Sequence, residues 1–178
     1  MYINMQINLI VAVSRNNGIG YKGDLPWHIK ADLQNFSKLT KGNGNNAIVM
    51  GKNTWNSLPH GLLGRDNLIF SRNQTLNDSV TKDKHLIKTF GSYEEIMSFI
   101  KLKSYKEVWI IGGAQIYKTF LEKKIINKCY LTYIDKDFIC DTFLQELPIS
   151  DWKVIECKHD YDNKYACTVS YAVYERNF

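Results

Sequence analysis

Apolar and polar positions alternate along this chain in two distinct periods. Short runs rich in Val, Ile, Tyr and Phe read as strands at Ile7–Val13, Ala47–Met50, Asn67–Phe70, Lys84–Ile87, Val108–Ile111, Lys128–Ile134, Lys153–His159 and Tyr165–Glu175. Helical periodicity fits residues 30–40, 53–57, 93–102 and 114–121, between the earlier strands. Strands alternating with helices predict a largely parallel sheet covered on both faces. The last third differs. Its two strands flank the turn-rich stretch Asp160-Tyr161-Asp162-Asn163-Lys164, which predicts an antiparallel hairpin at the sheet edge. No repeat or long linker divides the chain, and 178 residues suit one α/β domain.

One acid breaks the pattern. Ile29, Leu33, Phe36 and Leu39–Thr40 recur at helical spacing, and Asp32 falls on their face. A carboxylate directed toward apolar surroundings is costly unless something polar docks on it, which makes Asp32 a candidate for ligand chemistry. The plainer reading is an acid near a helix start, where the macrodipole favours it.

Composition narrows the classes. Of the residues, 44% are hydrophobic and 13% aromatic, enough for a sizeable core. No apolar run approaches the roughly 18–20 residues of a membrane helix. Leu9-Ile10-Val11-Ala12-Val13 runs into Ser14-Arg15-Asn16-Asn17, so it reads as a strand and not as a signal peptide. The four cysteines are widely spaced, which suits neither a metal site nor a disulfide framework and points to a reduced, cytoplasmic protein. The net charge of +5 favours anionic small ligands, while the scattered lysines argue against nucleic acid.

Several motifs carry candidate chemistry. Gly18-Ile19-Gly20-Tyr21-Lys22-Gly23 matches the dinucleotide fingerprint in letters only. Four polar residues separate it from the strand, and Asp24-Leu25-Pro26-Trp27 follows where a helix should open. It reads instead as a mobile loop over about 16–27, a lid candidate. Val108-Trp109-Ile110-Ile111-Gly112-Gly113-Ala114-Gln115-Ile116-Tyr117 runs from a buried strand through two glycines into a helix. Such a turn can seat a pyrophosphate on the helix N-terminus, or simply connect two elements tightly. Val49-Met50-Gly51-Lys52-Asn53-Thr54-Trp55 has the same form, and Ser71-Arg72 ends a third strand. Arg65 could grip a substrate carboxylate, or make a surface ion pair with Asp66.

Together these residues resemble the dihydrofolate reductase family. The carrying motifs are Val11-Ala12-Val13-Ser14, Gly18-Ile19-Gly20, Asp24-Leu25-Pro26-Trp27 with Asp32 five residues on, Val49–Trp55, Gly64-Arg65, Ser71-Arg72, Ile110-Ile111-Gly112-Gly113, Tyr117 and Leu131-Thr132-Tyr133-Ile134-Asp135. They keep the family's order over about residues 7–176, within a single domain of 1–178. The resemblance implies a central eight-stranded mixed, mostly parallel sheet with an antiparallel C-terminal hairpin and about four flanking helices. It implies reduction of 7,8-dihydrofolate to tetrahydrofolate by NADPH, in one-carbon and thymidylate metabolism. The protein would be a monomeric, cytoplasmic antifolate target with no metal.

The family's roles carry over residue by residue. Asp32 would anchor the pterin, supported by Thr132, with Trp27 holding a water and Leu25 in the lid. Ile10, Val11, Leu33, Phe36, Leu58 and Ile111 would line the substrate pocket, and Arg65 would pair with the glutamate α-carboxylate. Ala12, Ile19, Gly20 and Ile111 would meet the nicotinamide side. Gly51, Lys52, Asn53 and Thr54 would meet the pyrophosphate, with Gly112, Gly113, Ala114, Gln115, Ile116 and Tyr117 around it. Ser71 and Arg72 would take the 2′-phosphate. Gln115, Asn53 and Cys140-Asp141 depart from patterns common in the family. A reductase of riboflavin biosynthesis shares the fold but does not need the Leu-Pro-Trp and acid combination. A nucleic-acid-binding module needs none of these residues. Because the chain ends soon after its last strand, it reads as standalone or as the reductase part of a longer protein.

Overall fold

A computed structural model describes residues 5–73, 77–145, 147 and 149–177. In chain order the elements are β1 (Gln6–Ser14), β2 (Gly18–Gly20), α1 (Lys30–Lys41), β3 (Asn46–Gly51), α2 (Lys52–Ser57), β4 (Asp66–Phe70), β5 (Ser79–Val80), β6 (Leu86–Phe90), α3 (Tyr93–Lys103), β7 (Glu107–Gly112), α4 (Ala114–Glu122), β8 (Lys128–Ile134), β9 (Thr142–Phe143), β10 (Trp152–Asp162) and β11 (Cys167–Arg176). Nine strands form one sheet in the order β10-β11-β8-β1-β7-β3-β4-β6-β5. The pairings of β1 with β7 and β8, of β3 with β7 and β4, and of β4 with β6 are parallel. The β10–β11 hairpin adds to β8 antiparallel, as predicted, but its turn lies at 163–166, so that Asp160–Asp162, expected in the turn, pair within β10 and Tyr165, expected in the strand, belongs to the turn.

Side-chain alternation sorts the core into two layers. Leu9, Val11, Val49 and Leu68 pack under α3 and α4 with Ile96, Ile100, Ile116 and Phe120. Ile10, Ile48, Met50 and Ile69 pack on the other face against Phe36 and Leu39 of α1 and Trp55 of α2. The central strands are therefore buried on both faces and read as unbroken apolar runs.

The structure departs from expectation in three further places. A ninth strand, Ser79–Val80, pairs with β6 at the edge. It is two exposed residues long, so it left no apolar signal. The strand expected at Lys84–Ile87 is Leu86–Phe90, because Lys84 has φ +67° and belongs to a turn closed by Thr81 and His85. The expected lid loop contains β2, which pairs with β9 in a separate two-stranded sheet. No helix among the described residues is long and apolar enough to cross a membrane.

Candidate active site

Strand C-termini and helix starts meet along one edge of the sheet, where open α/β sheets bind ligands. A cleft of about 1950 Å³ runs along that edge.

Asp32 sits in the first turn of α1 and is buried. Thr132 Oγ1 of β8 donates a 2.7 Å hydrogen bond to Asp32 Oδ1. Burial raises the Asp32 carboxyl above its ordinary range, and the Thr132 hydrogen bond partly offsets this. Asp32 thus occupies a helix start and also lines the cleft. Trp27 is buried, and among the described residues its indole Nε1 has no hydrogen-bond partner. Its ring packs edge-on against Phe138 at 5.1 Å, and Phe138 packs against Tyr165 at 5.3 Å. The His28 amide donates to Tyr165 Oη at 2.9 Å, so the hairpin turn clamps this segment. Leu25 and Leu33 remain partly open at the cleft mouth, 43% and 36% exposed.

Arg65 follows Gly64, whose φ of +79° turns the chain into the cleft. The guanidinium is buried, 5.8 Å from the Phe36 ring, and its Nε and Nη1 have no partner among the described residues. Desolvation pushes its pKa down to about 10, against the attraction of Asp83. The surface ion pair with Asp66 is ruled out by where Asp66 points. It accepts from the Leu86 amide at 2.8 Å and from Tyr105 Oη at 2.7 Å. A buried cation with idle donors is costly alone, and the chemistry that satisfies it is a carboxylate.

At the other end, α2 and α4 begin side by side after Gly51 and Gly113, at the ends of neighbouring strands β3 and β7. A Cβ on Gly51 would come 3.0 Å from Ile116 Cγ1, so glycine permits the close approach. A Cβ on Gly113 would meet only Thr54 Oγ1, at 3.6 Å, and would project into the cleft. The Gly112–Gly113 peptide is cis. Tyr117 Oη donates at 2.8 Å to the Ile10 carbonyl, tying α4 to β1 beneath this turn. Lys52, Thr54 and the first amides of α4 thus converge on one space, with Arg72 following the Ser71 strand end nearby. These donors fit the phosphates of a dinucleotide.

The cleft brings together every site residue expected from the sequence except Gly112. Gly112 is buried behind it, with φ +112° and space for a Cβ only 3.0 Å from the Tyr117 ring, so its contribution is backbone shape. Sequence reasoning missed His28, Ser37, Asn56, Phe70, Thr142 and Tyr165, which also line the cleft. Asn56 and Ser37 lie one or two turns from recognised residues and could have been found by helical spacing. Tyr165 arrives from a distant turn and leaves no such signal. The Lys22 amide donates to Asp141 Oδ2 at 2.8 Å, and the Asp141 amide to the Gly20 carbonyl at 3.0 Å, which fixes β9 against β2.

Residues 6–176 match the family model described as dihydrofolate reductase. A dihydrofolate reductase of Drosophila melanogaster is 36% identical over 82% of each chain. That of Haemophilus influenzae is 33% identical, covering 92% of this chain and 95% of its own. A solved dihydrofolate reductase from Enterococcus faecalis, complexed with NADP(H) and RAB-propyl, superposes with a TM-score of 0.80 at 27% identity over 97% of each chain.

Proposed function

This chain belongs to the dihydrofolate reductase family, and on that premise we propose that it reduces 7,8-dihydrofolate to 5,6,7,8-tetrahydrofolate with NADPH, through Asp32, Trp27, Thr132 and Arg65. The observation that carries this reading is a buried carboxyl at one end of the pocket and a buried guanidinium with idle donors at the other. Asp32 supplies a desolvated acceptor, and Arg65 supplies idle cationic donors. Dihydrofolate has the complementary ends, an amino-pterin and a glutamate carboxylate.

Asp32 takes the N3 and 2-amino donors of the pterin, and Thr132 holds the carboxylate in position. Ile10, Leu33, Phe36 and Leu58 line the apolar wall between the two charged ends. NADPH, when bound, supplies the hydride from nicotinamide C4 to pterin C6. Ala12, Ile19 and Gly20 would border the nicotinamide, Lys52, Thr54 and Gly113–Tyr117 would hold the pyrophosphate, and Ser71 with Arg72 would take the 2′-phosphate, all of them lining the cleft. Pterin N5 gains its proton from water entering past Leu25, and the idle Trp27 Nε1 holds a water beside the substrate. The Asp32 carboxylate favours the protonated pterin through its charge in a desolvated site.

Steady-state loss of NADPH absorbance with dihydrofolate tests the reading. Oxidation that an antifolate blocks is the expected result. Tight NADPH binding with no oxidation of it in the presence of dihydrofolate would overturn the substrate assignment.

A further inference from the structure

Away from the cleft, β10 is the outermost strand of the sheet and shows solvent nearly all its side chains. Cross-strand register sets Cys157 opposite Ala172 and His159 opposite Ser170. Alternation puts Cys157, His159 and Ser170 on one face, and sends the Glu156–Lys158 pair to the other. On the shared face, Cys157 Sγ lies 3.8 Å from His159 Nε2, and His159 Nδ1 lies 2.8 Å from Ser170 Oγ. With Nδ1–H donating to the Ser170 hydroxyl, Nε2 keeps its lone pair toward the thiol. A nucleophile, its base and a group that orients the base are thus assembled in order.

The other cysteines lack this arrangement. Cys129 and Cys167 are buried, and burial pushes both thiols up, Cys129 to about 12. Cys140 is half-buried with its sulfur packed over Gly18, where a Cβ would collide with it. Only Cys157 is exposed, and it does not line the cleft.

We infer that Cys157 is a modification site that exchanges with low-molecular-weight disulfides, with His159 as its proton acceptor and Ser170 orienting that imidazole. The Cys157 proton passes to His159 Nε2. The thiolate then attacks one sulfur of the small disulfide, forming a Cys157–sulfur bond as the original S–S bond breaks. The leaving thiolate carries off the bond's electron pair and takes the proton back from Nε2. The Cys157 sulfur is oxidised and the departing sulfur is reduced, so no further oxidant is required.

The full chain is incubated with oxidised glutathione, and mixed disulfides are located by peptide mass spectrometry over time. Cys157 is expected to react at least about tenfold faster than Cys140, and His159→Asn to slow Cys157 about tenfold, through a smaller thiolate fraction at the attacking sulfur. Ser170→Ala should slow it less, and Cys157→Ser should leave dihydrofolate turnover unchanged. Equal rates at Cys157 and Cys140, or an undiminished rate in His159→Asn, would overturn the proposal. The second result would show exposure alone to be responsible.

Discussion

Thr132 and Asp32 lie 100 residues apart in sequence and 2.7 Å apart in space, hydroxyl to carboxylate. The bond favours the ionised acid in a place where burial disfavours it. Replacing Thr132 with Val removes that support and raises the Asp32 carboxyl further. The acid limb of the kcat/KM profile, measured for both proteins, is expected to move to higher pH in Thr132→Val. An unmoved limb would show that Asp32 does not govern it.

Asp32→Asn separates function from stability. The pKa of Asp32 is raised on folding, so its contribution to stability is fully present below the ordinary carboxylate range. It is lost as pH rises through the raised value. The Asn variant keeps an acceptor for Thr132 and avoids the buried charge. Its ligand-free Tm at neutral pH should exceed the parent's by about 2–4 °C, the effect of one kcal/mol in a domain of this length, and the gap should close in acid. Turnover near neutral pH should fall about 100-fold or more while NADPH affinity is kept. Calorimetry and steady-state kinetics on the same samples check both halves.

Arg65→Met keeps most of the side-chain volume and removes the guanidinium whose Nε and Nη1 stand idle. KM for dihydrofolate should rise about 10- to 100-fold, the scale of charge-assisted hydrogen bonds. An inhibitor lacking the glutamate tail should bind both proteins equally. Equal losses for both ligands would place Arg65 in the structure of the pocket and not in carboxylate binding.

Gly112 and Gly113 should respond differently to one methyl group. Gly112→Ala sets a Cβ against the Tyr117 ring at φ +112°, and should cost about 1–3 kcal/mol of stability in denaturant titration. Gly113→Ala meets ordinary contact with Thr54 and should fold normally. Its methyl projects into the cleft, so weaker NADPH binding is the expected change.

Arg72→Ala tests cofactor choice. Ser71 and Arg72 follow β4 at the cleft, and Gln115 offers no charge there. The preference for NADPH over NADH in kcat/KM should shrink about tenfold, through loss of a charge-assisted phosphate contact. An unchanged ratio would move 2′-phosphate recognition to another residue.

The sequence revealed the parts of this fold that bury apolar residues. The central strands are buried on both faces, so Ala47–Met50 and Val108–Ile111 stand out as apolar runs. The elements held by backbone pairing alone stayed hidden. Ser79–Val80 is exposed, and Gly18–Gly20 looks like a loop until Thr142–Phe143 pairs with it. The same division holds in the cleft. Asp32 breaks the apolar stripe of its helix and so announces itself, whereas Arg65 and Gly113 fit a surface ion pair and a tight turn equally well and stood out only through the family resemblance. Tyr165 and His28 obey their local context, and only the fold of the hairpin turn joins them to Trp27.

A single turnover with NADPH carrying deuterium at the transferred C4 position tests the central claim most directly. Deuterium at C6 of the tetrahydrofolate formed, at a rate that collapses in Asp32→Asn, is the predicted result. Deuterium elsewhere, or an undiminished rate in that variant, would contradict the placement of the pterin on Asp32.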